Sequence, residues 1–422
     1  GTWSILLAWF ARERGRAPRD VFCALAFVSI VLALNARSVR SESLFYCVLP
    51  LLLLFTLRAR ASTAPVRLLL ESGLAGVALL VASAYGCDRA TRPLPCTVEI
   101  SGYCWTELGP AGQWVESVAE VGGTYFAGTR DGLFKFDSDE WRWTRVAFSG
   151  KYVTSITAVP PIGRLWVTLA PHGADTITAV AYASDDGGRT WQPRDGGLSA
   201  GAEYHGLAIS FAFDAGDPRR LFMGLSGQVV RSVDAGATWA YVYGGPVDRG
   251  VGVNAIALSP AGSSRGWAGG QDAIGRAFVL RTGDRGANWQ RLSPSPALED
   301  AVLAVLGDPR DDGRCFAGTF GAVRVTGDGG ASWPPLLVTS RPGWVTGIAF
   351  VDSLLLAIAD EAVEGSPTAA SGLGLYVSTT RGVTWDTLPV PAAAVGGRAL
   401  AVAPDGALLI ATRAGVWRML AQ

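Results

Sequence analysis

Four acidic residues, Asp248, Asp272, Glu299 and Asp300, fall in polar connections between apolar segments and could act in pairs on a sugar. Glycoside hydrolysis needs two carboxyl groups facing each other across the scissile bond, one protonating the leaving oxygen and the other attacking or activating water. Two arginines in similar connections, Arg249 and Arg341, could clamp a substrate carboxylate. Nucleophilic and zinc chemistry find less support. The chain has only two histidines, His172 and His205, and neither stands in a Ser-His-Asp or metal-ligand spacing. The expectation is a non-enzyme with no catalytic residues and no metal site.

Any such residue must be positioned by a repeat. Ser184-Asp185-Asp186-Gly187-Gly188-Arg189-Thr190-Trp191 recurs as Ser232-x-Asp234-x-Gly236-x-Thr238-Trp239, Thr282-x-Asp284-x-Gly286-x-Asn288-Trp289 and Thr326-x-Asp328-x-Gly330-x-Ser332-Trp333. A fifth copy, Ser378-Thr379-Thr380-Arg381-Gly382-Val383-Thr384-Trp385, lacks the Asp, and a degenerate one runs from Phe136 to Trp143. The Asp accepts hydrogen bonds from the turn backbone, the Gly supplies a positive φ, and the Trp brings a large apolar side chain to the next strand. One carboxylate per loop is too few oxygens for calcium. These residues are read as turn architecture.

The copies resemble Asp-box (BNR) repeats, which in known families join the third and fourth strands of β-propeller blades. The resemblance covers about three quarters of the chain. Within that class are sialidases, xyloglucan-type glycosidases, sortilin-like receptors and the photosystem II stability and assembly factors. A sialidase would require an Arg-Ile-Pro motif, absent here, together with an arginine cluster and a Tyr beside a Glu.

Trp spacings of 48, 48, 50, 44 and 52 from Trp143 to Trp385 fit four-stranded blades. First strands are expected near Glu116–Val121, Thr154–Val159, Leu207–Phe213, Asn254–Leu258, Ala301–Leu306, Val345–Val351 and Ala399–Ala403. The seventh unit lacks an outer strand. Because Cys104-Trp105-Thr106-Glu107-Leu108 resembles Trp385-Asp386-Thr387-Leu388, a strand near 98–108 is expected to close an all-β seven-bladed propeller over 96–422.

Residues 1–95 are a different material and form the expected membrane domain. Apolar stretches at 21–36, 44–57 and 66–86 read as three transmembrane helices. Arg12, Arg14, Arg16 and Arg19 precede the first, and Arg58, Arg60 and Arg67 lie between the second and third, so the N-terminus is expected in the cytoplasm and the propeller in a periplasm. This region has no His, so pigment or lipid contacts at the helices would be made without imidazole ligation, and no intrinsic cofactor is expected. Cys87, Cys96 and Cys104 fall on the outer side, where a Cys96–Cys104 or a Cys87–Cys96 disulfide could tie down the linker.

Formal charge is zero overall, with 36 basic and 36 acidic residues. Eleven Arg against five acids lie in residues 1–95, leaving 25 basic against 31 acidic residues in the body. A mildly acidic body argues against nucleic acid as partner. On the blade end away from the repeat turns, Lys151, Tyr152, His172, Tyr204, His205, Arg249, Arg341 and Trp344 are the expected partner-binding residues, and Glu361 lies in the expected loop Asp360–Gly372. The resemblance to the photosystem II factors implies a scaffold or accessory subunit of an integral membrane complex. A bacterial reaction centre with its light-harvesting antenna, in an inner photosynthetic membrane and in contact with its lipids, is the expected setting. The alternative is an extracytoplasmic glycan-binding receptor or glycosidase.

Overall fold

Short apolar runs of strand length, punctuated by Gly, Asp and Ser, cannot bury both faces unless sheets stack on one another. In the computed structural model they do so as seven antiparallel sheets. The structure describes residues 96–422 except 139, 160–162, 171–177, 197, 199–208, 245–251, 260–263, 273, 293–297, 299–300, 363–370, 404 and 422. The three expected spans lie outside the described residues. Among the described residues no helix is long and apolar enough to cross a membrane.

Blade 1 comprises β3 (Val115–Val121), β4 (Thr124–Thr129), β5 (Gly132–Asp137) and β6 (Arg142–Ala147). Blade 2 comprises β7 (Tyr152–Val159), β8 (Arg164–Ala170), β9 (Ala181–Ser184) and β10 (Gln192–Pro193), and blade 3 β11 (Ser210–Asp214), β12 (Asp217–Gly224), β13 (Val229–Ser232) and β14 (Ala240–Tyr243). Blade 4 holds β15 (Gly252–Leu258), β16 (Gly266–Gln271), β17 (Ala277–Thr282) and β18 (Gln290–Arg291); blade 5 holds β19 (Ala304–Asp308), β20 (Asp311–Thr319), β21 (Ala322–Thr326) and β22 (Pro335–Val338). Blade 6 is β23 (Gly343–Val351), β24 (Leu354–Ala362), β25 (Ser371–Ser378) and β26 (Asp386–Thr387).

The seventh sheet joins the two ends of the propeller. Its inner strands are β27 (Gly397–Val402), β28 (Leu408–Thr412) and β29 (Gly415–Ala421), and β2 (Tyr103–Gly109) lies antiparallel on β29, from Tyr103 opposite Ala421 to Gly109 opposite Val416. Instead of one strand over 98–108, a turn at Ser101-Gly102 folds β1 (Val98–Ile100) back onto β2. Ser101 and Gly102 both have positive φ, 51° and 79°, which reverses the chain within two residues. Cys96 and Cys104 are disulfide-bonded across this hairpin, with Cα atoms 5.3 Å apart. First strands of successive blades touch all the way round, β27 meeting β3, so the ring is closed.

In each repeat turn, side chains replace the missing ladder. The Ser184 hydroxyl accepts from Gly188 N at 2.8 Å and donates to Asp186 Oδ1 at 2.8 Å, while Asp186 accepts from Thr190 N at 2.9 Å and Thr190 Oγ1 at 2.6 Å. The turns at Ser232, Thr282 and Thr326 repeat the pattern. In the fifth copy Thr380 Oγ1 takes the role of the Asp, accepting from Thr384 N at 2.8 Å. The repeat Trp side chains precede the fourth strands, and these are short: β10 is two residues. Between blades, the second-strand aromatic of one sheet packs on the repeat Trp of the next, Trp166 on Trp239, Phe222 on Trp289 and Trp267 on Trp333, edge-on at 5.9–6.5 Å.

These hydrogen bonds make folding depend on ionised carboxylates. The Thr190 hydroxyl and backbone N–H hold Asp186 well below the usual carboxylate range, and the Thr238 hydroxyl and N–H lower Asp234 to about 2. A depressed folded value gives stability that is present above the unfolded value, near ~3.9, and is lost as pH falls through the folded one. Urea melts are therefore expected to show a plateau above roughly pH 5 and a fall between about pH 4 and about pH 2. A midpoint constant down to the acid end of that window would contradict this role.

Candidate functional site

Strand direction alternates within each blade, so the starts of first strands and the β4–β5 and β28–β29 connections share one end, opposite the repeat turns. There Trp114, just ahead of β3, is surrounded by three guanidiniums: Arg130 at 3.8 Å from the ring centroid, Arg413 at 4.7 Å and Arg398 at 5.6 Å. Each arginine is anchored from below by a carboxylate. Glu116 accepts from Arg130 Nε at 3.1 Å and from Arg398 Nη2 at 2.7 Å and Nε at 3.0 Å, and Asp360 pairs with Arg413.

The layering decides the character of the site. The Glu116 and Asp360 side chains are 5% and 6% exposed, whereas Arg130, Arg398 and Arg413 are 41%, 27% and 34% exposed. Negative charge is buried and positive charge faces solvent, over an aromatic ring. Arg413 Nε and Trp114 Nε1 are buried donors without a hydrogen-bond acceptor among the described residues. Blades 6, 7, 1 and 2 all contribute, the last through Tyr152, whose ring lies 5.7 Å from the Arg130 guanidinium. Burial, then the Glu116 charge, pushes the Tyr152 phenol up to about 12, so it is a neutral donor at physiological pH.

Beside this cluster is an aromatic pair. Phe320 and Trp344 meet edge-on at 5.1 Å, with Phe320 42% exposed. Trp344 and Asp360 are cross-strand partners, so the pair adjoins the Arg413–Asp360 ion pair. Of the residues expected on this face, Tyr152 joins the cluster, Trp344 joins the aromatic pair, Arg341 is exposed close by, and Lys151 is half-buried next to Tyr152. His172, Tyr204, His205 and Arg249 lie outside the described residues.

Sequence reasoning missed Trp114, Glu116, Arg130, Arg398 and Arg413. A signal was present: Thr129-Arg130-Asp131-Gly132 and Thr412-Arg413-Ala414-Gly415 are one motif in two blades, each Thr hydroxyl donating to the Gly carbonyl, at 3.0 and 2.7 Å. Glu361 corrects the loop expected over Asp360–Gly372. Ladder pairing of Asp360 with Leu373 and of Glu361 with Gly372 continues the strands as far as Ala362 and from Ser371.

Of the carboxylates considered for hydrolysis, the described residues include Asp272. Asp272 is a turn residue, accepting from Ile274 N at 3.2 Å and Arg276 N at 2.9 Å; desolvation raises its carboxyl, but those donors and the Arg276 and Arg291 charges outweigh it and hold it low. Asp248, Glu299 and Asp300 lie outside the described residues. A Tyr beside a Glu does occur: Tyr376 donates to Glu361 and accepts from Ser340 N at 2.9 Å. Tyr376 is 3% exposed and burial pushes its phenol up, the opposite of what a nucleophile needs. Among the described residues no cluster of His, Cys, Asp and Glu could hold a metal.

The fold defines a seven-bladed β-propeller. No family model and no curated protein matches the chain. Solved structures do: YCF48 bound to D1 peptide, at a TM-score of 0.53 and 15% identity over 77% of this chain and 97% of that one, and YCF48 from Cyanidioschyzon merolae, at 0.53 and 13% over 74% and 98%. The GH74 xyloglucanase from Xanthomonas campestris matches at 0.54 and 18% over 75% of this chain and 53% of its own, so the chain spans about half the length of that enzyme. At such identities the likeness is one of fold, shared by enzymes and non-enzymes.

Proposed function

We propose that the chain is a non-catalytic scaffold, a membrane-anchored accessory subunit that stabilises an integral membrane protein complex through its propeller. One observation carries this reading: the arginine-covered Trp114 cluster offers partner-binding side chains, Arg, Trp and Tyr, where catalysis would need opposed carboxylates. The apolar stretches at 21–36, 44–57 and 66–86 supply the anchor, with the N-terminus cytoplasmic and the propeller periplasmic. The fold likeness to YCF48, whose structure is known bound to a D1 peptide, favours a photosynthetic complex, and the partner proposed is a bacterial reaction centre with its antenna in the inner membrane.

The test is mild detergent solubilisation of native membranes and pull-down through a C-terminal tag, read by mass spectrometry and absorption spectra. Stoichiometric pigment-bearing polypeptides are the expected result. A lone colourless chain would overturn the proposal and turn attention to glycan binding and glycosidase assays.

A further inference from the structure

We infer that the Trp114 cluster is a receptor for an acidic side chain on a partner polypeptide, with the Phe320–Trp344 pair taking an apolar side chain next to it. The inference rests on the scaffold reading for the source of the polypeptide; the chemistry of the site stands on its own geometry.

Charge is the first support. Arg130, Arg398 and Arg413 carry three positive charges against the two of Glu116 and Asp360, so the cluster is one negative charge short of balance. Both of its own carboxylates are buried beneath the arginines, and the side open to solvent is the guanidinium side. The second support is independent of charge. Arg413 Nε and Trp114 Nε1 are N–H donors without acceptors, and the Arg413 guanidinium lies 4.7 Å from the Trp114 ring, so both orphans belong to one locus. Both atoms are enclosed, so a carboxylate reaches them only by displacing neighbouring side chains, and in doing so relieves the cost of leaving them unpaired. A carboxylate is acceptor-only, planar and singly charged, which matches a guanidinium fork and a deficit of one.

Apolar surface sets the kind of molecule that carries the carboxylate. Phe320 at 42% and Val338 at 69% exposure are large apolar side chains left open on this end of blade 5. Trp344, on which Phe320 packs, is the cross-strand neighbour of Asp360. A polypeptide with an acidic residue beside an aromatic or aliphatic one fills both halves, whereas a bare anion fills only the first.

Two labelled peptides, acetyl-Phe-Glu-Phe-amide and acetyl-Phe-Gln-Phe-amide, titrated into the full chain in detergent at low ionic strength, test the assignment by fluorescence anisotropy. The Glu peptide is expected to bind at least about fivefold more tightly. Its affinity should fall about tenfold in the double variant Asp360→Asn/Arg413→Gln, which removes cation and anion together and leaves no unpaired buried charge. Trp114→Phe, which keeps the ring and deletes one orphan donor, should weaken it by a smaller factor. Arg189→Ala, on the repeat-turn end, should leave it unchanged. Equal affinity for the two peptides, binding that survives the double variant, or competition by inorganic phosphate as effective as by the Glu peptide would each overturn the proposal. A chain that binds the Glu peptide but purifies alone from membranes would sink the scaffold reading and spare this one; a complex retained undiminished by the double variant would do the reverse.

Discussion

Arg381→Ala is expected to lower the unfolding free energy by about 3–5 kcal/mol, the range for stripping a buried carboxylate of its partner. Asp308, at the end of β19, has a side chain with no exposure, and Arg381 from blade 6 reaches across to bond its Oδ1. The remaining support is thin. Arg310 N donates to Oδ1 at 2.9 Å, and Arg314 Nη1 stands 3.7 Å from Oδ2, which has no hydrogen bond. Arg381 sits in the repeat turn that lost its Asp, and Arg314 Nη2 holds its carbonyl at 3.1 Å. The ion pair and this contact together latch blade 5 to blade 6. Chemical denaturation of Arg381→Ala, compared with Asp308→Asn/Arg381→Gln, separates the charge from the contact: the double variant should recover most of the loss. A single variant within about 1 kcal/mol of the parent would show that the latch is idle.

Gly236→Ala is expected to cost about 2–5 kcal/mol, adding a left-handed backbone penalty of about 1–2 to an overpacking penalty of about 1–3. Gly236 has φ +83°, and a Cβ there would stand 2.3 Å from Trp166 Cη2 and 3.1 Å from the Arg194 carbonyl. Neither can yield readily. Trp166 is fully buried, stacked on Phe211 at 5.2 Å with Trp239 at its edge. The glycine of the turn is thus required by the neighbouring blade as much as by its own backbone. Trp166→Phe should restore part of the loss in Gly236→Ala, a coupling measurable by a double-mutant cycle. Strict additivity would mean that the clash is relieved some other way.

Seven blades were legible because their cause is local. Ser184, Asp186, Gly188 and Trp191 lie within eight residues, and their spacing alone implies a turn between strands. First strands read from apolar runs fall within a few residues of the observed ones, the largest shifts being three residues, at β11, which starts at Ser210 where Leu207 was expected, and at β19, which starts at Ala304 where Ala301 was expected. Residues 301–303 are apolar but have no ladder partner assigned, and apolar character alone does not distinguish a strand from a packed approach to one. The site was only partly legible because its cause is not local. Glu116 and Arg398 are 282 residues apart and meet only because blade 7 lies against blade 1. Tyr152 and Trp344 could be placed on the right end of their blades from the strand order, but nothing in the sequence places them beside a buried carboxylate and its arginines.

The hairpin at the start of the propeller has a mechanical consequence. A pull on the chain ahead of Cys96 passes through the disulfide straight to Cys104 and into β2, so β1 and its turn carry no load. Force then reaches the ring through the ladder from Tyr103 to Gly109 against β29, which is itself one of the three inner strands of blade 7. With the disulfide reduced, the same pull would first peel the three residue pairs of β1, and the assembly would give before it held. The covalent bridge makes the attachment stiff from the first increment of tension.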